Sequence, residues 1–142
     1  MAAEGMVHAL KKIHSWLVPA GTLLDIHPRP DLPPIDVQLA NQTVLVGWLR
    51  EADERIEYGQ ADQALATVIQ NRLFSLVEGH LFTFAIQAGN LPELQHFLAE
   101  NWKDALLDEV VSGRITELLH TVETNKAIII RQQIGITRLL TL

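Results

Sequence analysis

"LVPAGTLLDIHPRP", Leu17 to Pro30, decides how this chain is read. Pro19 has no amide hydrogen with which to continue a helix, and Gly21 takes turn geometry freely. The stretch therefore reads as a helix end, a tight turn and a strand over Thr22–His27, with Leu23, Leu24 and Ile26 as its apolar run. A strand of this kind needs neighbours. Upstream, Met6, Ala9, Leu10, Ile13 and Leu17 recur at three- and four-residue spacing, with Glu4, Lys11, Lys12 and Ser15 on the other side, which is the pattern of an amphipathic helix. Downstream, "HPRPDLPP" holds four of the six prolines of the chain, so it is an extended connection.

Further on, Val37 and Leu39 alternate with polar residues, "ANQ" turns the chain, and Val44, Val46 and Trp48 alternate again, a β-hairpin pattern. From Glu51 to about Phe74 a stripe of Tyr58, Ala61, Leu65, Val68 and Arg72 predicts a long helix, with an interruption near Gly59. In "HLFTFAIQ" Phe82, Phe84 and Ile86 alternate with Leu81, Thr83 and Ala85, which predicts a strand buried on both faces. Asn90 followed by Glu93 has capping-box spacing and opens a helix with Leu94, Phe97, Leu98 and Trp102 on its apolar side. After a break at Ser112-Gly113, a second helix carries Ile115, Leu118, Leu119 and Val122. "AIIIRQQIGITRLLTL" is long for one strand and predicts a bulge or break near Gln132 to Gly135.

The 142 residues fit one domain, with enough chain to bury a real core, and 48% hydrophobic with 20% charged residues is an ordinary globular composition. A net charge of -6 without a dense Lys/Arg cluster argues against nucleic acid or an anionic membrane as partner. Zero cysteines exclude disulfides, thiolate metal sites and a cysteine nucleophile. No apolar run reaches the ~18 to 20 residues of a membrane span, and the N-terminus lacks a signal-peptide pattern, so the default expectation is a cytoplasmic protein.

Two residues stand out for chemistry. Asp25 and His27 are two apart on the predicted strand and point the same way, so a carboxylate and an imidazole can act as a base pair or share a metal with a third ligand. The plainer alternative is a solvated or hydrogen-bonded histidine at a strand end. His8, His14, His80, His96 and His120 show no four-residue spacing of the kind that sets two ligands on one helical face. Glu51, Asp53, Glu54, Glu57 and Asp62 crowd a predicted helix start, where the macrodipole favours carboxylates without any catalytic role; Tyr58 and Asp62 are spaced to bond across a turn. Trp16, Trp48 and Trp102 suit core or interface anchors.

"MVHALKKIHSWLVPAGTLLDIHP", Met6 to Pro28, resembles the segment of class I S-adenosylmethionine-dependent methyltransferases in which a helix ends in a "K-P-G-G-x-L-L" turn and leads into the fifth strand. By that resemblance "HLFTFAIQ" is similar to the sixth strand, and "IIIRQQIGITRLL" to a seventh that inserts antiparallel between the fifth and sixth. The resemblance spans the chain but covers only the C-terminal half of that family. The "G-x-G-x-G" turn and the acidic strand end that hold the cofactor belong to the other half, and the eight glycines here are scattered singly. It implies an α/β, partial Rossmann-like methyltransferase fold: a mixed sheet of the last three strands plus a β-hairpin, flanked by helices. No cofactor site is expected, and S-adenosylmethionine enters only if a partner supplies one. The edge of Thr22–His27 is expected to be covered by the chain's own hairpin, by a second copy, or by a separate protein carrying the first half. The expected function is a non-catalytic module that homodimerises or binds a partner subunit through Met6, Leu10, Ile13, Leu24, Ile26, Val44, Val46 and Trp48. The alternatives are a subunit of a split methyltransferase, in which Asp25 and His27 handle substrate, and a small-molecule binding module.

Overall fold

The computed structural model describes residues 2–52, 55–120 and 125–142. Among them, four helices and seven strands form an α/β arrangement with a mostly antiparallel, open sheet of five strands and a second sheet of two short ones. No described helix is long and apolar enough to cross a membrane. Contacts divide the chain into two compact units: Met1–Pro30, Arg55–Phe82 and Gln133–Leu142 make one, Asp31–Glu54 and Thr83–Gln132 the other. Two long strands, β5 (Phe74–Ala88) and β7 (Ala127–Thr141), contribute residues to both.

The first unit contains α1 (Ala3–Trp16), β1 (Thr22–Pro28) and α2 (Ile56–Gln70). The turn after α1 closes at Pro19-Ala20-Gly21, with the left-handed conformation at Ala20 (φ 62°) rather than at Gly21: Gly21 N donates to Val18 O at 2.8 Å, and Thr141 donates to Gly21 O through both its backbone amide (2.9 Å) and its hydroxyl (3.0 Å). β1 then lies antiparallel on β7, from Thr22 opposite Leu140 to Pro28 opposite Ile134. The period of two sends Leu23 to a core of Leu65, Val68, Phe74 and Leu139, joined by Val7, Leu10 and Leu17 from the helix side. Each such side chain, fully buried, stabilises the fold by about 1.5–3 kcal/mol. Leu24 and Ile26 point the other way and are 58% and 61% exposed. Among the described residues β1 pairs with β7 alone, and the hairpin pairs with β7 rather than with β1. The chain's own hairpin is thus not what covers this edge.

The long helix is shorter than its stripe suggests. Arg55 (φ 62°) and Arg72 (φ 59°) are left-handed, a conformation that helices do not contain, so α2 runs only between them and Arg72 leaves the stripe. Helix geometry continues through Gly59 without interruption. Phe74, expected at the helix end, opens β5, and ten consecutive β5 residues, 76–85, are exposed. The expectation of two buried faces fails there because apolarity on both sides of a strand says what burial would favour, not what lies over it. β5 pairs with β7, and no other strand among the described residues adjoins it.

The second unit contains β2 (Pro34–Gln38), β3 (Thr43–Trp48), β4 (Arg50–Glu51), α3 (Leu91–Asn101), β6 (Ala105–Leu106) and α4 (Glu109–Leu119). The predicted hairpin forms, and β2 docks antiparallel on β7 from Ile35 opposite Ile130 to Gln38 opposite Ala127. Ile35 faces Gly47 while Asp36 faces Leu45, so Val46 is the extra residue of a β-bulge. The bulge breaks the parity read from the sequence: Val44 and Val46 turn to the core, and Trp48 turns out. At Gly47, with φ 156°, a Cβ would stand 2.6 Å from Val111 Cγ2, so α4 packs on β3 only because there is none. The capping box of α3 is made: Glu93 N donates to Asn90 Oδ1 at 2.8 Å and Gly89 N to Glu93 Oε2 at 3.0 Å. Trp102 is the residue after this helix rather than part of its face. α4 runs unbroken through Ser112-Gly113; Val122 lies outside the described residues. β7 has no break at Gln132 to Gly135, where its pairing passes from β2, ending at Ile130, to β1, starting at Ile134. Ile35, Val37, Leu94, Ile115, Ile128 and Ile130 are the fully buried centre of this unit.

Candidate functional site

The helix-facing side of β1 carries Asp25 and His27, as the period of two requires. The two are hydrogen-bonded, Asp25 Oδ1 to His27 Nδ1. α2 adds Asp62, whose Oδ1 lies 2.8 Å from His27 Nε2 and accepts from Arg29 Nη1 at 3.0 Å. The His27 side chain is 13% exposed, the deepest of the four. Arg29 is held by its backbone, with its amide donating to Gln133 O at 2.9 Å and its carbonyl accepting from Arg55 Nη2 at 2.6 Å. The buried Arg55 guanidinium stacks 4.7 Å above the Tyr58 ring.

Both imidazole nitrogens face carboxylate oxygens, which accept and cannot donate. A neutral ring has one N–H and satisfies one of them; the imidazolium satisfies both. With both nitrogens engaged, His27 has no lone pair aimed at a substrate, so the arrangement is better suited to holding Asp25 in place than to acting as a free base. Asp25 Oδ1 is taken by His27, and Oδ2 is the atom left. Asp25 also lines a cavity of about 180 Å³ whose other walls are Met6, Ala9 and Leu10 of α1 and Ala61, Ala64 and Leu65 of α2. The pocket is open on one side and mostly apolar, with the Asp25 carboxylate as its one acidic group.

Asp62 was not readable as a member of this cluster, because it is 35 residues from His27, and Arg29, two residues beyond His27, is tied in only through Asp62. The acidic crowd before α2 divides. Glu51 is buried and accepts from the Trp102 indole at 3.2 Å, Asp62 turns to His27, and Asp53 and Glu54 lie outside the described residues. Glu51 therefore belongs to β4 and not to a solvated helix start. Among the described residues no group of His, Asp and Glu can hold a metal; in the His27 cluster the histidine stands between the carboxylates, so the three do not converge on a point.

The residues expected at an interface separate in the structure. Leu24, Ile26 and Trp48 are exposed; Met6, Leu10 and Ile13 are half-buried on α1, where Met6 and Leu10 also line the cavity. Val44 packs against the second unit's core, and Val46, 1% exposed, is part of that core and is not available to a partner. Compared with known proteins, the chain matches no protein-family model, no curated protein and no solved structure.

Proposed function

We propose that this chain is a methyltransferase-like module without methyl transfer of its own, and that it works by associating with a second polypeptide, first of all a second copy of itself. The observation that carries this reading is a pair of strands, β1 and β5, each pairing with β7 alone among the described residues and each exposing large apolar side chains: Leu24 and Ile26 on one, Leu76, Leu81 and Phe82 on the other. An open strand edge with exposed apolar side chains is a template for another strand. The methyltransferase-like part is supported by strand order, since β7 adjoins both β1 and β5 and is antiparallel to β1. Sedimentation velocity tests the association: a species heavier than the 15.9 kDa chain is expected, and a monomer at the highest soluble concentration overturns self-association.

A second reading is favoured by one observation, the Asp25–His27–Asp62 cluster beside the α1–α2 cavity. In it the chain is the substrate-handling subunit of a split methyltransferase, Asp25 receives a donor group of a small apolar substrate, and a partner brings S-adenosylmethionine. Calorimetric titration with S-adenosylmethionine and S-adenosylhomocysteine separates the two. Saturable binding would bring the enzyme forward; a stable dimer that binds neither counts against a cofactor site rebuilt by self-association.

A further inference from the structure

The exposed part of β5 reads almost the same in both directions. About Gly79, Glu78 is matched by His80, Val77 by Leu81 and Leu76 by Phe82. The symmetry continues through Ser75 and Thr83 to Phe74 and Phe84, where burial departs from it: Phe74 turns into the core and Phe84 is exposed. An antiparallel strand pair lying across a two-fold axis needs this property, because residue n of one copy faces the mirror position of the other and both contacts are then made twice.

We infer that two copies of this chain pair edge to edge through β5, antiparallel, with the two-fold axis at Gly79. The inference rests on the association reading above and names its partner, surface and register. In this register Val77 meets Leu81 of the second copy, Leu76 meets Phe82, and Glu78 meets His80, so apolar faces apolar and the acid faces the only basic group of the strand. Val77, Leu76, Leu81 and Phe82 are all exposed in the single chain, with Leu81 at 63%. Glu78 already bonds Arg138 Nε at 3.2 Å and lies 3.3 Å from His80 Nε2, so the charge centre of the strand is ordered before a partner arrives.

Gly79 supplies an independent reason. Glycine weakens a strand interior, and where it stands there it commonly marks a close approach of another backbone. Inside this chain nothing requires it: its φ is not positive, and the nearest atom to an added Cβ is Ile136 O at 3.9 Å. Gly47, by contrast, is required by Val111. At a two-fold axis residue 79 faces itself. A chain of net charge -6 repels its own copies, and β5 brings a single acidic residue, Glu78, to the pairing, set opposite His80.

The absence of cysteine from the chain makes the register directly testable. A single cysteine forms a symmetric disulfide only where the same residue of both copies comes within bonding range, which on an antiparallel pair means at the axis. Full-length Gly79→Cys, Leu24→Cys and Phe84→Cys are oxidised and run on non-reducing gels, with sedimentation velocity of the parent chain alongside. The expected result is a dimer linked efficiently by Gly79→Cys and not by the other two. A dimer that fails to link at 79 overturns this inference and leaves self-association standing; a monomeric parent overturns both. Charge exchange checks the pairing without a disulfide: Val77→Lys and Leu81→Glu are each expected to be monomeric with unchanged circular dichroism, and the double variant to recover the dimer. A dimer that survives both single changes rules the register out.

Discussion

β5 and β7 are both fifteen residues long and both rich in apolar side chains, yet one is mostly exposed and the other mostly enclosed. β7 is paired with β1, β2 and β5, and helices and strands of each unit pack on its side chains; β5 is paired with β7 only, among the described residues. The difference shows that burial is a property of neighbours. An apolar strand with one neighbour remains half of an interaction, whereas the same composition with three neighbours is the centre of a sheet.

Matched substitutions on the two strands put that contrast to the test, measured by urea denaturation at a protein concentration low enough to keep the chain monomeric. The largest effect is expected at Leu139 of β7, fully buried among Leu65, Val68 and Phe74: Leu139→Ala should cost about 2–5 kcal/mol. Next comes the glycine pair. Gly47→Ala forces a methyl group into Val111 and should lose roughly 1–3 kcal/mol. Gly79→Ala meets only Ile136 O at 3.9 Å, an ordinary contact, and should instead gain about 0.5–1 kcal/mol, since alanine suits an extended strand better. The smallest change is expected for Leu81→Ala on β5, within about 0.5 kcal/mol of the parent. A Leu81→Ala variant as damaged as Leu139→Ala would mean that β5 is covered after all, and the contrast between the strands would collapse.

These pairs also mark what the sequence could and could not say. The turn at Pro19-Ala20-Gly21, the β2–β3 hairpin and the Asn90–Glu93 cap were legible because each is decided within a few residues by backbone geometry or a local hydrogen bond. The start of α2 was not, since nothing in the residue type announces that Arg55 takes a left-handed φ. The facing of Trp48 was hidden by one inserted residue at Val46, which reverses every side chain beyond it. For the candidate site, Asp25 and His27 were visible through their spacing on a strand, whereas Asp62 reaches the histidine from α2, and Arg29 joins the cluster only through Asp62. The exposure of β5 was illegible for a different reason: its residues are suited to burial, and what would bury them is not coded in β5.

The pairing of β1 with β7 has a consequence for how the protein is made. The bond from the Thr141 hydroxyl to Gly21 O joins residues 120 apart in the chain, and the Asp36–Arg131 ion pair of the other unit spans 95. On a ribosome adding ~5–20 residues per second, β1 emerges many seconds before the strand that completes it. Throughout that interval Leu23, Leu24 and Ile26 are an apolar strand with no sheet, and α1 has no floor to pack on. Folding of this sheet therefore waits for β7, and non-local closure of this kind is slow. A nascent chain stalled before Ala127 should be a client for chaperones and proteases, and one in which β7 has emerged should not.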